Sequence, residues 1–248
     1  MTSVTESRPE PPPLPVDPQE RETISDYYND TVVDYGAWSK QGYLHFGYWR
    51  PWLNPFSRRP MLEEMNRFIF HHLALQDLPA GKVADLGCGV GAVSRHGSEL
   101  FPQLEFHAMS ISPGQIAEAG QRHNGQRVRY HCGDYHRLPF ADESFAAAFY
   151  LESLCHSTEP ETALGEAARV LAPGGRLVLT DGFLRRPLSE TSAAFRYVVR
   201  GVAHNWAVPM FHEIERAQRW NAGGRLDLVE SIECGWRLGP SALHAAHL

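Results

Sequence analysis

The segment Asp85-Leu-Gly87-Cys-Gly89-Val-Gly91 sets one acid and three glycines within seven residues, at the end of the apolar run Val83-Ala-Asp-Leu. Glycine lets a backbone take positive φ and come close to a ligand. Gly87, Gly89 and Ala92 satisfy the G-x-G-x-x-G/A spacing of a nucleotide-binding turn. Two details point away from a dinucleotide. Asp85 lies inside the strand end, two residues before the first glycine, where a carboxylate repels a diphosphate and attracts a cation. The next strand ends Ala108-Met-Ser-Ile-Ser112 without the acid that NAD sites use for the ribose hydroxyls. The chemistry indicated is the binding of a ligand that carries positive charge.

The elements that must position this loop follow from periodicity. Short β runs alternate with helical stretches from Lys82 onward. Strands are predicted at Val83–Leu86, Leu104–Met109, Val128–Cys132, Phe145–Leu151, Arg176–Thr180 and Leu226–Glu233. Helices are predicted over Pro60–Leu75, from about Ala92, after Pro113, over Thr162–Leu171 and over about Met210–Asn221. Pro173-Gly-Gly reads as a turn before the fifth strand. This alternation specifies an α/β fold: a doubly wound, mostly parallel, Rossmann-like sheet with helices on both faces. Ligands of such sheets bind at the carboxyl ends of the strands. Residues 1–22 are Pro-rich and read as a disordered tail. Residues 23–248 read as one domain. Within it, 23–75 form an N-terminal cap dense in aromatics, and 184–209 form a partly helical, lid-like insertion after strand 5.

Composition narrows the setting. The formal net charge of -6 argues against nucleic acid. Apolar runs are too short to span a bilayer or serve as a stable membrane anchor, and the N-terminus has no signal-peptide core. Cys88, Cys132, Cys155 and Cys234 form no CxxC pair, so they read as reduced thiols of a cytoplasmic protein. No metal site is expected. His71-His72 and His244-x-x-His247 have no carboxylate or Cys to complete one, and they are placed on the surface with the remaining histidines.

The D-x-G-x-G-x-G pattern resembles motif I of the class I S-adenosylmethionine (SAM)-dependent methyltransferases. Gly133-Asp134 looks like the family's adenine-binding acid. Leu138-Pro-Phe-Ala-Asp-Glu-Ser-Phe145 resembles its lead into strand 4, with Ala146 in place of the usual Asp. Arg169-Val-Leu-Ala-Pro-Gly-Gly-Arg resembles the turn before strand 5. The resemblance covers about Leu78 to Gly182. Met109-Ser-Ile-Ser-Pro-Gly-Gln115, Glu152-Ser-Leu-Cys-His156 and His45-Phe-Gly-Tyr48-Trp49 are similar to segments of the sterol, tocopherol and natural-product branch. The resemblance implies SAM as cofactor, contacted by Asp85, Gly87, Gly89, Gly91, Ser110, Ile111, Gln115, Asp134, Tyr135 and Leu151. It implies a small-molecule acceptor as the partner, with a homodimer as an open assembly. The family's sheet ends on a seventh strand hairpinned onto the sixth, and only about fifteen residues follow the sixth strand expected here.

The candidate catalytic residues are Glu152, His156, His45 and Tyr48. For an oxygen or nitrogen acceptor, His156 or His45 would take a proton. For an alkene acceptor, Glu152 with Tyr28, Tyr48, Trp49 and Trp206 would stabilise a carbocation. Structural roles stand beside these. Glu152 could instead bond a helix N-terminus, His156 could cap a helix, and His45 and Tyr48 could pack the cap. The aromatic load favours C-methylation of an isoprenoid, terpenoid or sterol-like acceptor. O- or N-methylation of a secondary metabolite is the alternative.

Overall fold

The computed structural model describes residues 39–122 and 127–245. The expected tail and Tyr27, Tyr28, Tyr35 and Trp38 of the cap lie outside the described residues. The described elements are α1 (Arg58–His72), β1 (Gly81–Leu86), α2 (Ala92–Leu100), β2 (Leu104–Ser110), α3 (Pro113–Gln121), β3 (Val128–Cys132), β4 (Phe145–Leu151), α4 (Pro160–Val170), β5 (Leu171–Thr180), α5 (Ala193–Asn205), α6 (Ile214–Ala217) and α7 (Gly235–Ala245). The five strands pair in parallel in the order β3-β2-β1-β4-β5. The winding therefore runs outward from β1 to β3, then returns to β4 on the other side of β1. The carboxyl ends of β1 and β4 part at this reversal and leave a crevice.

Each strand feeds both faces because successive side chains alternate. Val83, Phe106, Ala108, Ala147 and Phe149 pack with Met65, Ile69 and Phe70 of α1. Ala84, Leu86, Ala148 and Tyr150 pack with Ala163, Leu164, Ala167 and Val170 of α4. Phe70 lies at the centre of the first layer, with its ring edge-on to Phe101, Phe106 and Phe149. Full burial of a ring of this size contributes ~2–3 kcal/mol. The cap belongs to the same layer, since Tyr43 and Tyr48 are buried within it. No helix among the described residues is long and apolar enough to cross a membrane.

The C-terminal third departs from expectation. No sixth strand forms at Leu226–Glu233. That segment makes no ladder and leaves Leu228, Val229 and Ile232 exposed. Side-chain pairings hold it instead: Glu230 with His72, Glu233 with Arg185, and Ser231 with Gln218. The expected helix over Met210–Asn221 shrinks to Ile214–Ala217. Backbone bonds from Leu184 to His212 and from Ile214 to Leu184 claim its first residues for a bridge. Gly235–Ala245 is helical despite Pro240. The carbonyl of Arg237 accepts the Trp49 amide of the cap.

The Pro173-Gly-Gly turn is present but lies within β5. Leu171 pairs with Phe145 and Arg176 with Ala147, so the intervening β5 residues bulge out. Gly174 takes φ +78 there. Three histidines expected on the surface are buried. His96 bonds Asn66, His107 bonds Glu105 and His131, and His212 packs on Trp220.

Candidate active site

A cavity of about 460 Å³ opens at the reversal point of the sheet. One end is built by the loops after β1, β2 and β3. Gly87, Gly89 and Gly91 all have positive φ. A Cβ on Gly87 would sit 2.3 Å from the Cβ of Ser153, and one on Gly89 would sit 2.6 Å from Leu44. The first glycine thus lets the β1 loop pass the β4 loop, and the second leaves room for the cap. Gly91 starts α2, where a Cβ would meet the Tyr130 ring, and it does not line the cavity.

Asp85 is 2% exposed and lines this end. Ser94 Oγ donates to its Oδ2 at 2.7 Å. Burial pushes its carboxyl up to about 7 despite that bond. A carboxylate held this way is stabilised by an incoming cation. After β2, Ser110 Oγ donates to Gln115 Oε1 at 2.6 Å, and Ser112 caps α3 by accepting the Gln115 amide. Gln115 is 2% exposed, lines the cavity and has no partner for Nε2. A buried amide donor left unbonded is costly, so this atom fits a polar ligand. After β3, Asp134 Oδ1 accepts both the amide and the ring Nδ1 of His136, whose Nε2 bonds Ser157 Oγ. Ile111, Tyr135 and Leu151 complete the lining here, and Tyr135 donates to the Ser153 carbonyl.

The other end lies between the cap, the β4 loop and α5. Glu152 follows β4 with φ +49, a strained position for a side chain-bearing residue. Its Oε1 accepts the Phe46 amide at 2.9 Å and so ties the cap to the sheet. Burial, reinforced by nearby Asp181, pushes its carboxyl up to about 8. His156 lines the cavity with Nδ1 3.0 Å from the Ala207 carbonyl, and burial lowers its pKa. His45 also lines it. Its Nδ1 lies 2.9 Å from the Phe46 carbonyl, and burial lowers its pKa to about 4. Thr158, Ala203, His204, Ala207, Val208 and Pro209 finish the wall.

The structure thus gathers Asp85, Gly87, Gly89, Ser110, Ile111, Gln115, Asp134, Tyr135, Leu151, Glu152, His156 and His45 around one cavity. Tyr48 is not among them. Its ring is 6% exposed, stacks on Phe68 at 4.6 Å and lies under the Arg50 and Arg237 guanidinium groups. Trp49 bonds Leu53, and Trp206 packs on Phe46; neither lines the cavity. Sequence reasoning missed Leu44, His136, Ser153, Thr158 and the α5 residues. His136 was legible, because an acid followed two residues later by a histidine can form a local side-chain turn. The α5 residues fall in the stretch read as a lid-like insertion, but nothing local singled them out.

Comparison with known proteins agrees with this geometry. The family model described as a methyltransferase domain matches residues 84–179, from within β1 to the penultimate residue of β5. The O-methyltransferase cnsE of Penicillium expansum is 30% identical over 75% of the chain, which spans 65% of cnsE, just under two thirds. The fatty-acid O-methyltransferase of Mycolicibacterium smegmatis is 30% identical over 77% of this chain and 68% of its own length. Among solved structures, geranyl diphosphate C-methyltransferase from Streptomyces coelicolor superposes with a TM-score of 0.78. That match has 20% identity and covers 94% of this chain and 89% of that one. A sheet wound for a nucleotide, a buried acid where a diphosphate would be repelled, and these matches lead to one family: the chain belongs to the SAM-dependent methyltransferases.

Proposed function

We propose that this chain methylates a hydroxyl group of a small, largely apolar metabolite. The observation that carries this reading is the make-up of the acceptor end. His156 lies there among Ala203, Ala207, Val208 and Pro209. Of the aromatic rings needed to shelter a carbocation, Tyr48, Trp49 and Trp206 lie elsewhere. The relative cnsE, named an O-methyltransferase, is in keeping with methylation on oxygen.

The cofactor end fits SAM. Asp85 would meet its positive charge, Gln115 Nε2 and the Ser110 hydroxyl would serve polar groups, and the loop at Gly87 and Gly89 would admit the backbone approach. SAM supplies an electrophilic methyl group when bound. The chain supplies the rest. Burial keeps His156 neutral near pH 7, so its ring can accept the proton of the acceptor hydroxyl. The Ala207 carbonyl fixes the ring through Nδ1. Glu152 holds the cap across the cavity through Phe46, which limits the entry of water.

The test is the pH profile of methyl transfer to a pool of hydroxyl acceptors, with SAM saturating at every pH, for wild type and His156→Ala. The wild-type rate should fall at acid pH as His156 protonates. His156→Ala should lose ~10²-fold or more in rate and lose that acid limb. Unchanged rate and profile in the variant would remove the base from this reading. A second reading, C-methylation of an isoprenoid or sterol-like alkene, draws on the Glu152 carboxyl at the cavity and on the C-methyltransferase neighbours. Mass and NMR analysis of the product separates the two by the atom that carries the new methyl group.

A further inference from the structure

The described wall of the cavity contains carboxyl groups but no permanently cationic side chain. Asp85, Asp134 and Glu152 line it, together with four histidines, and no lysine or arginine is among its described lining residues. At the acceptor end, Asp181 lies behind Glu152 and His156, close enough to raise the carboxyl of the first. Several arginines outside the lining are held elsewhere. Arg95 donates to the carbonyls of Val90 and Gln41, on the far side of the glycine loop. Arg122 is held by Glu118 and the Lys40 carbonyl. Arg200, one turn before His204 on α5, is exposed and does not line the cavity.

Two of the four histidines are unsuited to replace a cation. Burial lowers the pKa of both His45 and His156 and keeps them neutral near pH 7. An anionic group entering this end would be desolvated with no lysine or arginine of the described lining beside it. Burial of an unpaired charge is heavily penalised. Uncharged polar contacts are available to an acceptor at Thr158 and the Ser153 loop.

We infer that the acceptor site selects a neutral molecule, an alcohol or phenol on an apolar skeleton, and rejects the carboxylate, phosphate or diphosphate of the same skeleton. The inference rests on the methyltransferase reading of the cavity. It separates this chain from relatives and neighbours whose names specify a fatty acid or geranyl diphosphate.

The experiment uses the full chain saturated with S-adenosylhomocysteine and two matched sets of probes. One is geraniol, geranic acid and geranyl diphosphate; the other is decanol, decanoate and decyl phosphate. Binding is read by calorimetry at pH 7.5, and methyl transfer is read separately with SAM. In at least one set the neutral member should bind, at least ~100-fold tighter than either anion. Thr158→Arg, which places a guanidinium in the wall, should improve binding of the anions ~10-fold or more relative to the alcohol. An anion that binds wild type as well as its alcohol overturns the inference, as does failure of both alcohols to bind. A product methylated on carbon from a neutral probe would overturn the O-methylation reading and leave this inference standing.

Discussion

Replacing Asp85 with Asn should move stability and cofactor binding in opposite directions. The wild-type carboxyl ionises near 3.8 in an unfolded chain and near 7 in its buried site. Because the folded value is the higher one, folding stability is lost as pH rises from about 3.8 to about 7, and it stays lost above that. Each tenfold in proton affinity is worth ~1.4 kcal/mol, which sets a ceiling of ~4 kcal/mol. Solvent in the adjoining cavity reduces this to about 1–2 kcal/mol. Asn keeps an oxygen for the Ser94 hydroxyl and carries no charge to desolvate. The cofactor-free variant should therefore melt about 2–6 °C higher than wild type at pH 8, with the gain fading toward pH 4. Binding should show the converse. A cationic ligand needs the ionised carboxylate, so wild type should bind SAM ~10-fold more weakly at pH 6 than at pH 8. The variant should bind more weakly throughout and show no such slope. Circular-dichroism melts and calorimetry across pH 5–8 read both quantities. A variant that melts lower at pH 8, or binds SAM with wild-type affinity, would refute the reasoning.

Gly89→Val places a Cβ 2.6 Å from Leu44 at φ +54. It should cost ~1–2 kcal/mol of stability and abolish SAM binding; calorimetry showing near-normal affinity would contradict this. Glu152→Gln retains an oxygen for the Phe46 amide, whereas Glu152→Ala does not. If the carboxyl serves the cap, Gln should stay within ~3-fold of wild-type rate, while Ala weakens SAM and acceptor binding ~10-fold. A loss of ~10²- to 10³-fold in the Gln variant would instead point to charge stabilisation in the transition state.

The sequence alone determined the sheet and the strand-end lining of the cavity. β3 and β4 lie where alternation and bounding turns put them, because such a strand is written in contiguous residues. Asp85, the glycine loop, Ser110 and Gln115 were legible for a related reason. A parallel α/β sheet delivers whatever follows each strand to one edge, so position in sequence becomes position in the site. The C-terminal segment was not legible. Leu226–Glu233 has strand-like composition, but a strand exists only where a neighbour offers a ladder, and side-chain pairings took that segment instead.

Tertiary structure alone decided the end of the cavity proposed for the acceptor. Leu44, Thr158, Ala203 and Val208 meet there from the cap, the β4 loop and the segment around α5, separated by up to about 160 residues of chain. Their convergence depends on long-range ties such as Glu152 to Phe46 and Ser241 to Gly47. The aromatic cap shows the same limit. Its composition required burial, and Tyr48 and Trp49 were expected beside an alkene acceptor. The fold instead turned Tyr43 and Tyr48 into the core and left Leu44 and His45 facing the cavity. Burial of an aromatic ring satisfies the hydrophobic requirement equally well against protein or ligand, so only packing could choose between them.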